Sequence, residues 1–135
     1  MIVKTRKNVL IITDSSEGTI SIASEIAKAL SGKKVSIKNK KASDFIGSDL
    51  LPADVFFLGC EKPKPDSFEY LADVLKHINL VGRPCGVFSS GTEKSIKYLT
   101  GLLKDCEAAL NPTAVVSGAA ANIENWTQSV ILHSF

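Results

Sequence analysis

The sequence predicts an α/β fold built on a parallel sheet with helices on both faces, and three observations carry that expectation. Short, strongly apolar runs alternate with segments of helical apolar spacing, the joins between them are short, and three of the strongest runs are each followed by a polar or Gly/Pro-rich turn. A strand covered on both faces has no polar side to show, so it reads as an unbroken apolar run rather than an alternation.

Residues 8–13 form the first such run and predict a buried strand. Residues 19–31 predict a helix, with Ile22, Ile26 and Leu30 on one stripe beside Ala23 and Ala27, and Ser31-Gly32 ending it. Lys34-Val35-Ser36-Ile37-Lys38 alternates polar and apolar, as a half-exposed edge strand does, and residues 42–51 read as a loop with a short helical turn. Val55-Phe56-Phe57-Leu58-Gly59 is the most hydrophobic short run and predicts a central strand. Asp66 or Ser67 then caps a helix carrying Phe68, Leu71, Leu75 and Ile78. Gly82-Arg83-Pro84 leads into a buried strand, Cys85-Gly86-Val87-Phe88, with the turn Ser89-Ser90-Gly91-Thr92 after it. Ile96, Leu99, Leu103, Cys106 and Leu110 predict one long helix, residues 113–117 a fifth strand, and residues 122–135 a closing helix with Ile123, Trp126 and Val130 inward.

At 135 residues the chain predicts one domain, residues 1–135, long enough to bury a single core. Its balance of 44% hydrophobic and 22% charged residues excludes disorder. No apolar run approaches the ~20 residues of a membrane span, and residues 1–7 lack the apolar stretch of a signal peptide. The cytoplasm is therefore the expected compartment. The net charge of +2 is nearly neutral, and the two lysine-rich stretches (Lys4, Arg6, Lys7 and Lys33, Lys34, Lys38, Lys40, Lys41) lack interleaved aromatics and a recognition helix. Neither a nucleic acid nor a membrane is an expected partner, and the second stretch reads as a solvated strand edge.

Three widely spaced cysteines, Cys60, Cys85 and Cys106, with no C-x-x-C and no His/Cys cluster, exclude structural zinc and a disulfide framework. Cys85 and Cys106 fall at core positions, and Cys60 alone adjoins a candidate site. His77 and His133 lie on helical segments without a partner in sequence. No catalytic residue and no metal ligand is assigned.

The candidate site is the set of three turns that follow the strong strands. In a doubly wound sheet, ligands sit outside the carboxyl ends of the strands. Thr13-Asp14-Ser15-Ser16-Glu17-Gly18-Thr19 opens a helix with hydroxyls and a glycine. Backbone N–H groups at a helix start have no helical partner, and the dipole favours negative charge there, so this turn reads as a phosphate cradle.

The first loop, followed by Ile22-Ala23-Ser24-Glu25-Ile26-Ala27, resembles the flavodoxin-like family, as do Asp54-Val55-Phe56-Phe57-Leu58-Gly59-Cys60 and the run from Leu80 to Gly91. The resemblance covers nearly the whole chain and points to a short-chain flavodoxin divergent in its flavin-contacting loops. It implies a three-layer sandwich on a five-stranded parallel sheet of order 2-1-3-4-5. It also implies FMN as cofactor, electron transfer to redox partner proteins, and no catalysis by the protein's own groups. Ser15, Ser16, Gly18 and Thr19 would take the phosphate. Cys60, Glu61 and Lys62 would approach the ring from one side, and Ser89, Ser90, Gly91 and Thr92 from the other.

This sequence departs from the family pattern in three ways. Glu17 stands where the family's Ser/Thr-x-Thr-Gly-Asn-Thr loop has a Thr, and the loop is one residue short before the helix stripe. Glu17 fits two roles, a helix-start carboxylate or part of an altered phosphate site. The second and third loops carry no aromatic to stack on a flavin. Lys62 and Lys64 flank the ring position where the family places carboxylates. Two alternatives stay open: a flavodoxin-like binding or interaction module that has lost flavin, and a small FMN-dependent reductase. A receiver domain lacks its carboxylate pair and lysine here, a cysteine phosphatase its arginine, a Rossmann dehydrogenase its G-x-G-x-x-G, and a serine hydrolase its G-x-S-x-G.

Overall fold

A computed structural model describes residues 7–116 and 123–132. The expected parallel sheet is present, and its strands run in the order β2-β1-β3-β4-β5, with a sixth short strand also on β4. The strands are β1 (Lys7–Thr13), β2 (Val35–Lys41), β3 (Val55–Gly59), β4 (Pro84–Ser89), β5 (Ala109–Leu110) and β6 (Val115–Val116). The helices are α1 (Glu17–Leu30), α2 (Glu69–His77), α3 (Glu93–Leu102) and α4 (Ile123–Leu132). Among the described residues, no helix is long and apolar enough to cross a membrane.

Alternation along the strands divides the core in two. Leu10, Ile12, Phe56, Leu58, Cys85 and Val87 pack with Phe68, Leu71, Leu75 and Leu99 of the α2 and α3 side. Val9, Ile11, Val55, Phe57 and Phe88 pack with Ala23, Ile26 and Leu30 of α1 and Ile123, Trp126 and Val130 of α4. Both faces of β1, β3 and β4 are covered, which is why their sequences show no polar period. Gly86 is what lets Trp126 lie on the sheet, since an added Cβ would sit 2.8 Å from its ring. Trp126 meets Phe57 edge-on with centroids 5.5 Å apart.

Three sequence expectations need correction. The long helix through Cys106 and Leu110 stops at Leu102. Residues beyond it bond instead to the turn before β4, through Leu80 N–H to the Cys106 carbonyl (2.8 Å) and Ala109 N–H to the Arg83 carbonyl (2.8 Å). Leu103 and Cys106 are therefore buried without being helical. The fifth strand is two pieces rather than residues 113–117. Ala109–Leu110 pairs with the start of β4 and Val115–Val116 with its end, while Ser117 lies outside the described residues. The interruption has a cause in Pro112, which has no N–H to give, and in Asn111, whose side-chain oxygen accepts the Thr113 N–H at 2.9 Å. Third, no side chain caps α2: Asp66–Phe68 is a 3₁₀ turn, and α2 begins at Glu69 without a side-chain cap bond.

The lysine edge is solvated as expected at Lys33, Lys34, Lys38 and Lys41, which are exposed, while Lys40 is half-buried; Lys38 and Lys40 also reach the buried Asp49 at 3.0 and 3.7 Å. The loop holding Asp49 is tied to the start of β4 by Arg83, whose guanidinium donates to the carbonyls of Leu50 (2.7 Å) and Ala53 (2.9 Å). His133 and both ends of the predicted residue 122–135 helix fall outside the described residues.

Candidate functional site

Parallel register brings the carboxyl ends of β1, β3 and β4 level. Thr13 pairs with Gly59, and Gly59 with Phe88, so the turns that follow open at one rim. The first turn is only three residues long, because α1 starts at Glu17. Ser15 takes a left-handed conformation there (φ 73°), which folds the chain back before the helix.

Asp14 is the hub of the rim. One carboxylate oxygen accepts the Ser16 N–H (3.0 Å) and the Ser16 hydroxyl (2.7 Å), an Asx-type turn. The other accepts the Glu61 N–H at 2.8 Å and so joins the first loop to the second. A line of hydroxyls runs onward from Ser16 to Thr19 (2.6 Å) and from Thr19 to Ser90 (3.1 Å), joining the first loop to the third. Gly18 permits this approach, since a Cβ there would lie 2.7 Å from that of Ser90.

The second and third loops are closed on each other at Glu61. Its carbonyl accepts the Ser95 hydroxyl at 2.7 Å, and a Cβ on Gly91 would collide with the same oxygen. Ser89 turns its hydroxyl oxygen to the Gly91 N–H at 2.9 Å. Glu17, Lys62 and Thr92 are exposed at the tips.

Among the expected site residues, then, Ser16, Gly18, Thr19, Glu61, Ser89, Ser90 and Gly91 are gathered by direct contacts. The Cys60 side chain is fully buried beneath the second loop. Burial, with the Asp14 carboxylate nearby, pushes its thiol up to about 12, so it is no nucleophile at neutral pH. Tyr98 is half-buried under the same loop, 6.4 Å from Phe68 ring to ring, and its hydroxyl too is pushed up to about 12, mainly by burial. Trp126 belongs to the opposite core.

Sequence reasoning missed two residues. Asp14 was legible in principle, because an Asp two residues before a helix N-cap is an Asx-turn signal. Ser95 carries no such signal, since its role comes from the placement of α3 against Glu61.

The donors at this rim fit the anionic end of a nucleotide in one respect. The first intrahelical bond of α1 runs from Ile20 N–H to the Ser16 carbonyl, so the N–H groups of Glu17, Gly18 and Thr19 have no intrahelical acceptor. A groove of about 1340 Å³ opens beside the rim between the 42–46 turn and α2, lined by Phe45, Ile46, Tyr70 and Tyr98. It shares Lys64 and Pro65 with the second loop but no residue with the first or third.

No family model and no curated protein sequence matches the chain. Solved structures do. An oxidised flavodoxin 2 from Bacillus cereus is similar at 21% identity, over 93% of this chain and 98% of that one, with a TM-score of 0.81. A Streptococcus pneumonia flavodoxin is similar at 18% identity, over 93% and 97%, with a TM-score of 0.81. The two-electron reduced flavodoxin of Megasphaera elsdenii is similar at 22% identity, over 90% and 97%, with a TM-score of 0.74. Identity this low speaks to architecture, and architecture agrees over 90% or more of the chain: it has the flavodoxin-like fold.

Proposed function

We propose that the chain binds flavin mononucleotide at the carboxyl-end rim of its sheet and passes electrons to protein partners, with no bond-changing chemistry of its own. The observation that supports this reading is the start of α1, whose first N–H groups have no intrahelical acceptor, at a rim built jointly by the loops after β1, β3 and β4. Glu17 and Gly18 would direct main-chain donors at the phosphate, with the Ser15 hydroxyl beside them, while Ser16 is held by Asp14 and Thr19 lies buried behind them. Lys62 on one side and Ser90, Gly91 and Thr92 on the other would border the ring. When bound, the flavin supplies one- and two-electron chemistry, and the chain's task is to hold it and to set the charge around it.

A second reading, a binding module without flavin, is favoured by two specific features. Asp14 takes up donors of the first loop, and the rim loops carry no aromatic for stacking. Titrating FMN with the purified protein separates the two. Saturable quenching of flavin fluorescence at one site per chain is expected. Unchanged fluorescence with protein in large excess would discard the electron-carrier reading and leave the module.

A further inference from the structure

We propose that the Asp14 carboxylate sets the rim's choice among flavins: it occupies donors a phosphate would otherwise use, so the chain takes riboflavin about as readily as FMN. This rests on the flavin reading above. The argument starts from the number of bonds at one carboxylate. Asp14 holds the Ser16 N–H, the Ser16 hydroxyl and the Glu61 N–H, all between 2.7 and 3.0 Å. A phosphate seeks the same kinds of donor, and an anion already seated among them both spends them and repels a second anion.

Asp14 also joins the two loops: its second oxygen holds the Glu61 N–H, and the Glu61 carbonyl is in turn held by Ser95 and backed by Gly91. The N–H groups of Glu17 and Gly18 remain for a phosphate, but beside a negative charge. Glu17, on the same turn, adds a second carboxylate, although an exposed one. The cations near the rim, Lys62 and Lys64, stand exposed on the second loop rather than in the first. The phosphate therefore adds little to binding, and recognition falls to the ring and ribityl chain.

The test is a pair of equilibrium titrations, FMN and riboflavin, on the wild-type chain and on Asp14→Asn, with Asp14→Ser as a second variant should the first not fold. Dissociation constants for the two flavins agreeing within about threefold in the wild type are expected. Asp14→Asn should tighten FMN by about tenfold and leave riboflavin unmoved, the size of effect one near like charge exerts. A wild-type preference for FMN well beyond tenfold would overturn the proposal while leaving the flavin reading intact, as would a variant that shifts both flavins equally. Binding of neither flavin, by wild type or variant, would overturn both. A structural readout runs alongside: the Glu61 amide resonance should move in Asp14→Asn before any flavin is added.

Discussion

Asp49 shows how one buried carboxylate can be kept ionised. Burial pushes its carboxyl up, but the Ile46 N–H, Lys38 and Lys40 together outweigh that, and its pKa lies below the ordinary 3.8. A group whose folded pKa is depressed contributes stability above the unfolded value and loses it as pH falls through the folded one. Asp49→Asn should therefore cost roughly 1 kcal/mol at neutral pH, a modest figure because Lys38 is 58% exposed and screened. The gap between wild type and variant should close as pH drops below 3.8; urea midpoints measured at neutral and acid pH check this. The cysteines allow a second prediction. Burial raises all three thiols, Cys60 to about 12 and Cys85 and Cys106 also upward. None should react with a thiol reagent at pH 8 in the folded protein, and all should react once it is unfolded. A fast-reacting native thiol would contradict the placement of Cys60 under the second loop.

Elements here are held to the sheet by a few large contacts. Trp126 joins α4 to β3 and β4, lying against Gly86, Phe57 and Phe88 and donating to the Thr113 carbonyl at 2.7 Å. Trp126→Ala should cost about 3–5 kcal/mol by chemical denaturation, since a large ring leaves a hole that the surrounding core closes only in part. Which elements could be read from sequence follows from the same physics. β1, β3, β4 and α1 were legible because burial on two faces, or on one stripe, leaves a periodic record. The end of α3 was not. Leu103, Cys106 and Leu110 keep a helical spacing, yet Glu107 adopts a left-handed φ of 60° and the segment bonds to the turn at residues 80–83 instead. Core apolar residues in a loop imitate a stripe, and only the tertiary bonds tell them apart. The site divides the same way. Its loops were visible as hydroxyl- and glycine-rich turns after strong strands, whereas the closure of Glu61 against Ser95 depends on how α3 lies.

At the scale of the molecule, charge is nearly balanced at +2, so the field at the rim is set locally. Reduction of a flavin places negative charge on its ring, and cations nearby favour that form. Reversing Lys62 and Lys64 to Glu should lower the potential of bound flavin, on the order of tens of millivolts for each exposed charge, as read by redox titration. A rise, or no shift at all, would remove these lysines from any role in tuning.

The proposal is above all about place: a flavin would lie where the loops after β1, β3 and β4 meet. Amide resonances followed during FMN addition test it most directly. Shifts should concentrate at Glu17, Gly18 and Thr19, at Lys62 and at Gly91 and Thr92, with the opposite end of the sheet around Arg83 unmoved. Shifts confined to that opposite end or to the groove at Tyr70, or a spectrum indifferent to FMN, would contradict the account.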